Sequence, residues 1–166
     1  MGINNYKPMK VLVIYDSLYG NTEKIANVIG EKFSSYHNTK VIKVNNTNTH
    51  DIENVDLLII GSPTHGGRFT EPIKKFIENL PKKNNYTIKA ITFDTSFPTS
   101  NMGFFINHIV KIFGNAAPRL SKELNKREIK VIYSKIFYVL GKEGPLQEGE
   151  IERAKEWTDR IITLYH

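Results

Sequence analysis

The run Val11-Leu12-Val13-Ile14-Tyr15 holds no polar residue in five positions and is rich in β-branched side chains. A strand with one wet face alternates apolar and polar residues, whereas an unbroken apolar run reads as a strand covered on both faces. Strands of that kind belong to parallel sheets flanked by helices. Parallel neighbours need crossover connections, so the constraint reaches well beyond these five residues. Helical spacing follows at once: Ile25, Val28, Ile29 and Phe33 fall on one face of a helix, after a turn containing Gly20.

The same order repeats down the chain. Residues 41–44 read as a second, weaker strand, residues 51–54 as at most a short helix, and Leu57-Leu58-Ile59-Ile60 as the third strand. Thr70 is placed to N-cap a helix with Glu71 and Pro72 in its first turn and Ile73, Phe76, Ile77 and Leu80 as the buried stripe, ending before Pro81. Residues 88–93 form a fourth strand. Asn115, with Pro118 in the next turn, opens a helix through Leu120 and Leu124. Residues 129–133 and 136–140 both fit the last strand, read as two halves of one bent strand interrupted at Ser134-Lys135. Gly149 precedes a final helix whose Ile151, Ala154, Trp157, Ile161 and Leu164 share a face. Five strands alternating with helices, and right-handed crossovers between them, give a doubly wound α/β sheet. With 166 residues, the expectation is one domain over residues 1–166, with 1–9 as a short N-terminal tail.

Composition narrows the chemistry. The chain has no cysteine, which excludes disulfides, thiolate metal sites and thiol nucleophiles. No apolar run approaches a membrane span and the start lacks the core of a signal peptide, so the expected compartment is the cytoplasm, with no membrane and no nucleic acid as partner. Lys and Arg outnumber Asp and Glu by 23 to 17, a net charge of +6. The pairs Lys74-Lys75 and Lys82-Lys83 read as solvated faces.

Ligands of doubly wound sheets bind beyond the carboxyl ends of the strands at the switch point, which directs attention to the loops after strands one, three and four. In Ser17-Leu18-Tyr19-Gly20-Asn21-Thr22, Gly20 permits a conformation other residues avoid, and Asn21, Thr22 and the following helix N-terminus offer donors to a phosphate. The loop has no lysine of the P-loop kind and lacks the three glycines of a dinucleotide fingerprint. A plain strand-to-helix turn is the alternative reading of these residues.

The stretch from Val13 to Thr22, followed by Ala26 and Ile29, resembles the flavodoxin signature. The resemblance implies a five-stranded sheet of order 2-1-3-4-5 and FMN as cofactor, with this loop wrapping the phosphate through hydroxyls and amides. Tyr19 stands where many flavodoxins have a small hydroxyl residue. The loop Gly61-Ser62-Pro63-Thr64-His65-Gly66-Gly67 resembles the isoalloxazine loop of the family, in which a glycine peptide turns its carbonyl toward flavin N5 on reduction. Gly66 is the first candidate for that peptide, and the alternative is an ordinary glycine turn. His65 reads either as a packing or hydrogen-bonding residue or as a group that titrates with the reduced flavin. Asp94-Thr95-Ser96-Phe97 resembles the third flavin loop, with Asp94 and Thr95 at the pyrimidine edge and Phe97 over the ring. The alternative makes Asp94 a cap or turn former and Phe97 a core residue.

Residues 137–150 resemble the close of a short flavodoxin-like subfamily. Residues 97–113, with Phe104, Phe105, Ile109, Val110, Ile112 and Phe113, are more apolar than those relatives imply; they read as a core helix, a cover for the flavin or a contact for another protein. The family implies an electron carrier cycling between oxidised, semiquinone and hydroquinone flavin and acting with redox partner proteins. The basic balance makes an acidic partner the expectation. The alternative is an NAD(P)H-dependent quinone or flavin reductase of the same superfamily. A response-regulator receiver domain needs clustered acidic residues after strand one and a phosphorylatable Asp after strand three; Ser17 and Ser62 occupy those places.

Overall fold

A computed structural model describes residues 7–80, 88–98 and 115–165. Five strands, β1 (Lys10–Tyr15), β2 (Asn38–Lys43), β3 (Leu57–Pro63), β4 (Lys89–Ser96) and β5 (Lys130–Tyr138), form one sheet. Every neighbouring pair is parallel and the order is β2-β1-β3-β4-β5. Four helices belong to the described residues: α1 (Asn21–Ser34), α2 (Glu71–Asn79), α3 (Ala116–Lys126) and α4 (Glu150–Tyr165). Pro81, Lys82-Lys83 and residues 99–113 of the apolar stretch lie outside the described residues.

Alternate side chains of each strand enter two separate cores. Val11, Val13 and Tyr15 of β1 pack with Ile25, Ile29 and Phe33 of α1 and with Ala154, Ile161 and Ile162 of α4. Leu12 and Ile14 face the other way, among Ile73 and Ile77 of α2 and Leu120 and Leu124 of α3. Both faces of the sheet are therefore covered, which is why the β1 run carries no polar residue. Among the described residues no helix is long and apolar enough to cross a membrane.

Several boundaries differ from the sequence reading. β2 starts at Asn38 because Asn38, Thr39 and Lys40 pair with β1, and Val44 has already entered a short 3-10 turn. β3 and β4 run on to Pro63 and Ser96, since Ser62 pairs with Asp94 and Pro63 with Thr95. β5 is continuous through Ser134 and Lys135. Its irregularity lies earlier: Ala90 pairs with Val131 and Ile91 with Tyr133, leaving Ile132 as the extra residue of a bulge. Thr70 occupies the N-cap of α2, yet its side chain makes no capping bond and its buried Oγ1 has no partner among the described residues. Leu164, expected on the buried face of the last helix, is 69% exposed.

The junction of β5 and α4 is tied by charge. Glu150, buried, accepts from Tyr138 N at 2.8 Å and from Arg153 Nε at 2.8 Å. Arg153 also donates to the Ile136 carbonyl at 2.6 Å and lies over the rings of Phe137 and Tyr138. A buried carboxylate needs such partners, and here they fix both ends of the loop 139–149.

Candidate functional site

The loops after β1, β3, β4 and β5 meet at the carboxyl edge of the sheet around a cleft of about 500 Å³. Its position, beside the reversal of strand order at β1 and β3, is where an open α/β sheet leaves a crevice. Its size lies within the range of cofactor pockets.

The first wall is the loop that opens α1. Gly20 is the N-cap residue with φ of 82°, left-handed, a conformation glycine adopts without penalty. Gly20 supplies no side-chain cap to the helix. The first amides of a helix have no acceptor within it and carry the positive end of the dipole, so they remain for an anion. Ser17 is buried, and its Oγ has no hydrogen-bond partner among the described residues. Its backbone N donates to Asp16 Oδ1 at 2.9 Å, which sets the bend that turns the chain out of β1. Tyr15 Oη donates to Glu23 Oε1 at 2.7 Å, clipping the strand end to the first turn of α1; burial and this carboxylate push the phenol up to about 12.

The second wall is the loop after β3. His65 N donates to Arg68 O at 2.8 Å and Arg68 N donates back to His65 O at 2.9 Å, so Gly66 and Gly67 form a two-residue hairpin turn. Their φ values of 54° and 73° are both positive, as a type I′ turn requires, and glycine meets that requirement at both places. His65 and Gly66 are exposed at the cleft, so His65 is not a core residue.

The third wall comes from β4. Thr95 Oγ1 lies 2.7 Å from Thr22 Oγ1 and the Thr95 carbonyl accepts from Thr64 N at 3.0 Å, joining all three loops. Asp94 is placed differently from its neighbour: it is fully buried behind the cleft. Its Oδ2 accepts from Ala117 N at 2.8 Å and its Oδ1 from Ser96 Oγ at 3.1 Å, so the carboxylate holds the start of α3. Burial pushes its carboxyl up to about 6, against the opposing pull of these donors.

Of the residues that the sequence marks as candidates, Ser17, Leu18, Tyr19, Asn21, Thr22, Pro63, Thr64, His65, Gly66, Gly67, Thr95 and Phe97 line the cleft. Gly20 shapes the loop without lining it. Ser62 and Asp94 lie beneath the lining; Ser62 Oγ donates to the Pro63 carbonyl and accepts from Thr70 N, each at 3.0 Å. The Asn21 side chain is also tied to the return loop after β5. Its Nδ2 donates to the Glu143 carbonyl at 2.9 Å, and its amide sits so close to Gly144 that a Cβ there would lie 2.4 Å from Nδ2. The loop 139–149 is thereby latched to the start of α1, bringing Val139 and Lys142 into the lining. Ser96 and Asn115 also line it. Ser96 belongs to the third loop that the sequence marks, whereas nothing there singles out Asn115, Val139 and Lys142 as cleft residues, because helix-start and return-loop residues carry no spacing that marks them.

The residues suit FMN. A buried hydroxyl without a partner and an uncapped helix N-terminus stand at one end of the cleft, and glycine peptides with Thr64, Thr95 and Phe97 line the rest. The sequence profile of the flavodoxin family matches residues 13–157. An uncharacterised protein of Methanocaldococcus jannaschii is 30% identical over 156 residues, covering 93% of this chain and 99% of its own. A flavodoxin of Buchnera aphidicola is 27% identical over 169 residues, 95% of this chain and 98% of its own. Among solved structures, rubredoxin:oxygen oxidoreductase of Desulfovibrio gigas superposes with a TM-score of 0.66 at 20% identity, over 96% of this chain and 37% of that longer one. Sheet order, the cleft at the switch point and the match across most of its length agree: the chain belongs to the flavodoxin family, the FMN-binding electron-transfer proteins.

Proposed function

We propose that this chain is a cytoplasmic electron carrier whose FMN passes between oxidised, one-electron-reduced and two-electron-reduced forms, serving redox partner proteins. The observation that carries the reading is the phosphate seat, where Ser17 Oγ is buried with no partner among the described residues, beside a helix start whose N-cap glycine brings no side chain. Bound FMN supplies the redox chemistry, and the protein's part is placement and electrostatics. Ser17, Thr22 and the first amides of α1 would hold the phosphate. Pro63 to Gly67 would lie along the reactive edge of the ring, with Thr95 and Phe97 on its remaining side. The Gly66-Gly67 peptide sits in a turn where both residues tolerate either sign of φ, so its carbonyl can reorient at little cost.

An anaerobic reductive titration followed by visible absorbance tests this. The expected course is accumulation of the one-electron-reduced flavin, with slow or no reduction by NADH and NADPH. Rapid reduction by either nucleotide, straight to the two-electron form, would overturn the carrier reading in favour of a reductase.

The partner is proposed to be acidic. Net charge is +6, and exposed Leu18 and Tyr19 offer apolar contact area at the cleft that Lys142 also lines. Electron transfer to such a partner is expected to slow as salt rises from about 0.05 to about 0.5 M, by about tenfold or more for steered association. A rate independent of ionic strength would remove the acidic-partner proposal.

A further inference from the structure

We propose that Lys43 and Lys142 form a cationic pair flanking the phosphate seat, so that this chain recognises the phosphate of its flavin by charge as well as by hydroxyls and amides. The inference rests on the FMN reading above and concerns residues in neither of the loops that the signature marks.

The two lysines arrive from different parts of the fold. Lys43 is the last residue of β2, directly paired with Tyr15 of β1, and its Nζ donates to the Ser17 carbonyl at 3.3 Å. It therefore sits against the very residue whose Oγ is buried without a partner among the described residues. Lys142 is carried by the β5–α4 loop. The neighbouring Glu143 carbonyl is held by Asn21 Nδ2 and Gly144 is packed on the same amide, so the loop is pinned to the first residue of α1 and Lys142 lines the cleft with Ser17, Asn21 and Thr22. Among the described residues neither ammonium is in an ion pair with a carboxylate.

Electrostatics make this more than proximity. A phosphate monoester carries between one and two negative charges near neutral pH, and an uncapped helix N-terminus contributes only a fraction of a compensating charge. Two ammonium groups bring the local balance close to neutral. Hydrogen bonds between ionised partners are about twice as strong as neutral ones and are weakened by salt where solvent reaches them. The pair would therefore discriminate between FMN and riboflavin, which share a ring and differ in the phosphate.

Flavin-free protein titrated with FMN and with riboflavin, by quenching of flavin fluorescence, tests the proposal. Lys43→Gln and Lys142→Gln are each expected to weaken FMN binding about tenfold, the double variant more, with riboflavin binding unchanged. Wild-type affinity for FMN should fall with added sodium chloride, and that of the double variant should fall less. Lys43→Arg and Lys142→Arg, which keep the charge, should bind FMN as the wild type does. Glutamine variants that bind FMN like the wild type at every salt concentration would overturn the proposal. An equal loss of FMN and riboflavin binding would also overturn it, assigning Lys43 and Lys142 to loop structure. A wild-type chain that binds neither flavin would remove the functional reading itself and this inference with it.

Discussion

Gly61→Ala is expected to destabilise the fold by about 3 kcal/mol or more, the upper end of what overpacking a filled core costs. Gly61 and Phe93 are directly paired residues of β3 and β4, and the Phe93 ring lies over the glycine. A Cβ at Gly61 would stand 2.1 Å from Cζ of that ring and 2.5 Å from Cε2, well inside contact distance. Relief by moving the ring is blocked: Phe93 is fully buried and meets Phe137 edge-on, with centroids 6.2 Å apart, and Phe137 in turn meets Trp157. The methyl group can be admitted only by parting β3 from β4, and both strands deliver loops to the cleft. Urea unfolding measures the loss as a lower midpoint at constant slope. Pairing Gly61→Ala with Phe93→Leu should cost less than the sum of the two single changes, since the smaller side chain removes the clash. Simple additivity, or a wild-type midpoint for Gly61→Ala, would show that the glycine is not required by the ring.

This pair also shows where a sequence stops being legible. The apolar runs of β1 and β3 announce buried parallel strands, and the helical stripes of α1 and α2 announce what covers them. Gly61, Ser62 and Pro63 look like loop because their side chains are loop-like, although the first of them is glycine for a packing reason that lies in another strand. Ser17 to Thr22 and Pro63 to Gly67 can be found because each is contiguous and bounded by a strand and a helix. Lys43 and Lys142 cannot, since one reaches Ser17 through sheet order and the other reaches the cleft through a latch between residues 122 positions apart. Position at strand ends makes Ser62 and Asp94 look like ligand contacts; their side chains instead serve the helix starts that follow, Thr70 N in one case and Ala117 N in the other.

Asp94 gives the stability of this protein a pH dependence of definite sign. Its carboxyl is pushed from 3.8 up to about 6 in the folded chain, first of all by burial, so the folded state holds the proton more tightly than the unfolded one. Below pH 3.8 both states are protonated and the contribution of Asp94 is fully present. Between the two values the unfolded chain releases its proton while the folded chain keeps it, and stability falls as pH rises. Above about 6 both are ionised and the folded state bears the whole cost of a buried charge, about 3 kcal/mol for a shift of this size. Asp94→Asn keeps an oxygen for Ala117 N and an amide that can donate to Ser96 Oγ, and it has no proton to release. Its stability relative to wild type should therefore rise by about 2 kcal/mol on going from about pH 4, where the unfolded carboxyl is already partly ionised, to about pH 8, whatever fixed cost the exchange carries, because that cost cancels in the difference. Urea midpoints of the two proteins at both pH values give the number directly. Parallel pH profiles would mean that Asp94 titrates as it does in the unfolded chain, and that its carboxylate is stabilised by the start of α3 as well as water would stabilise it.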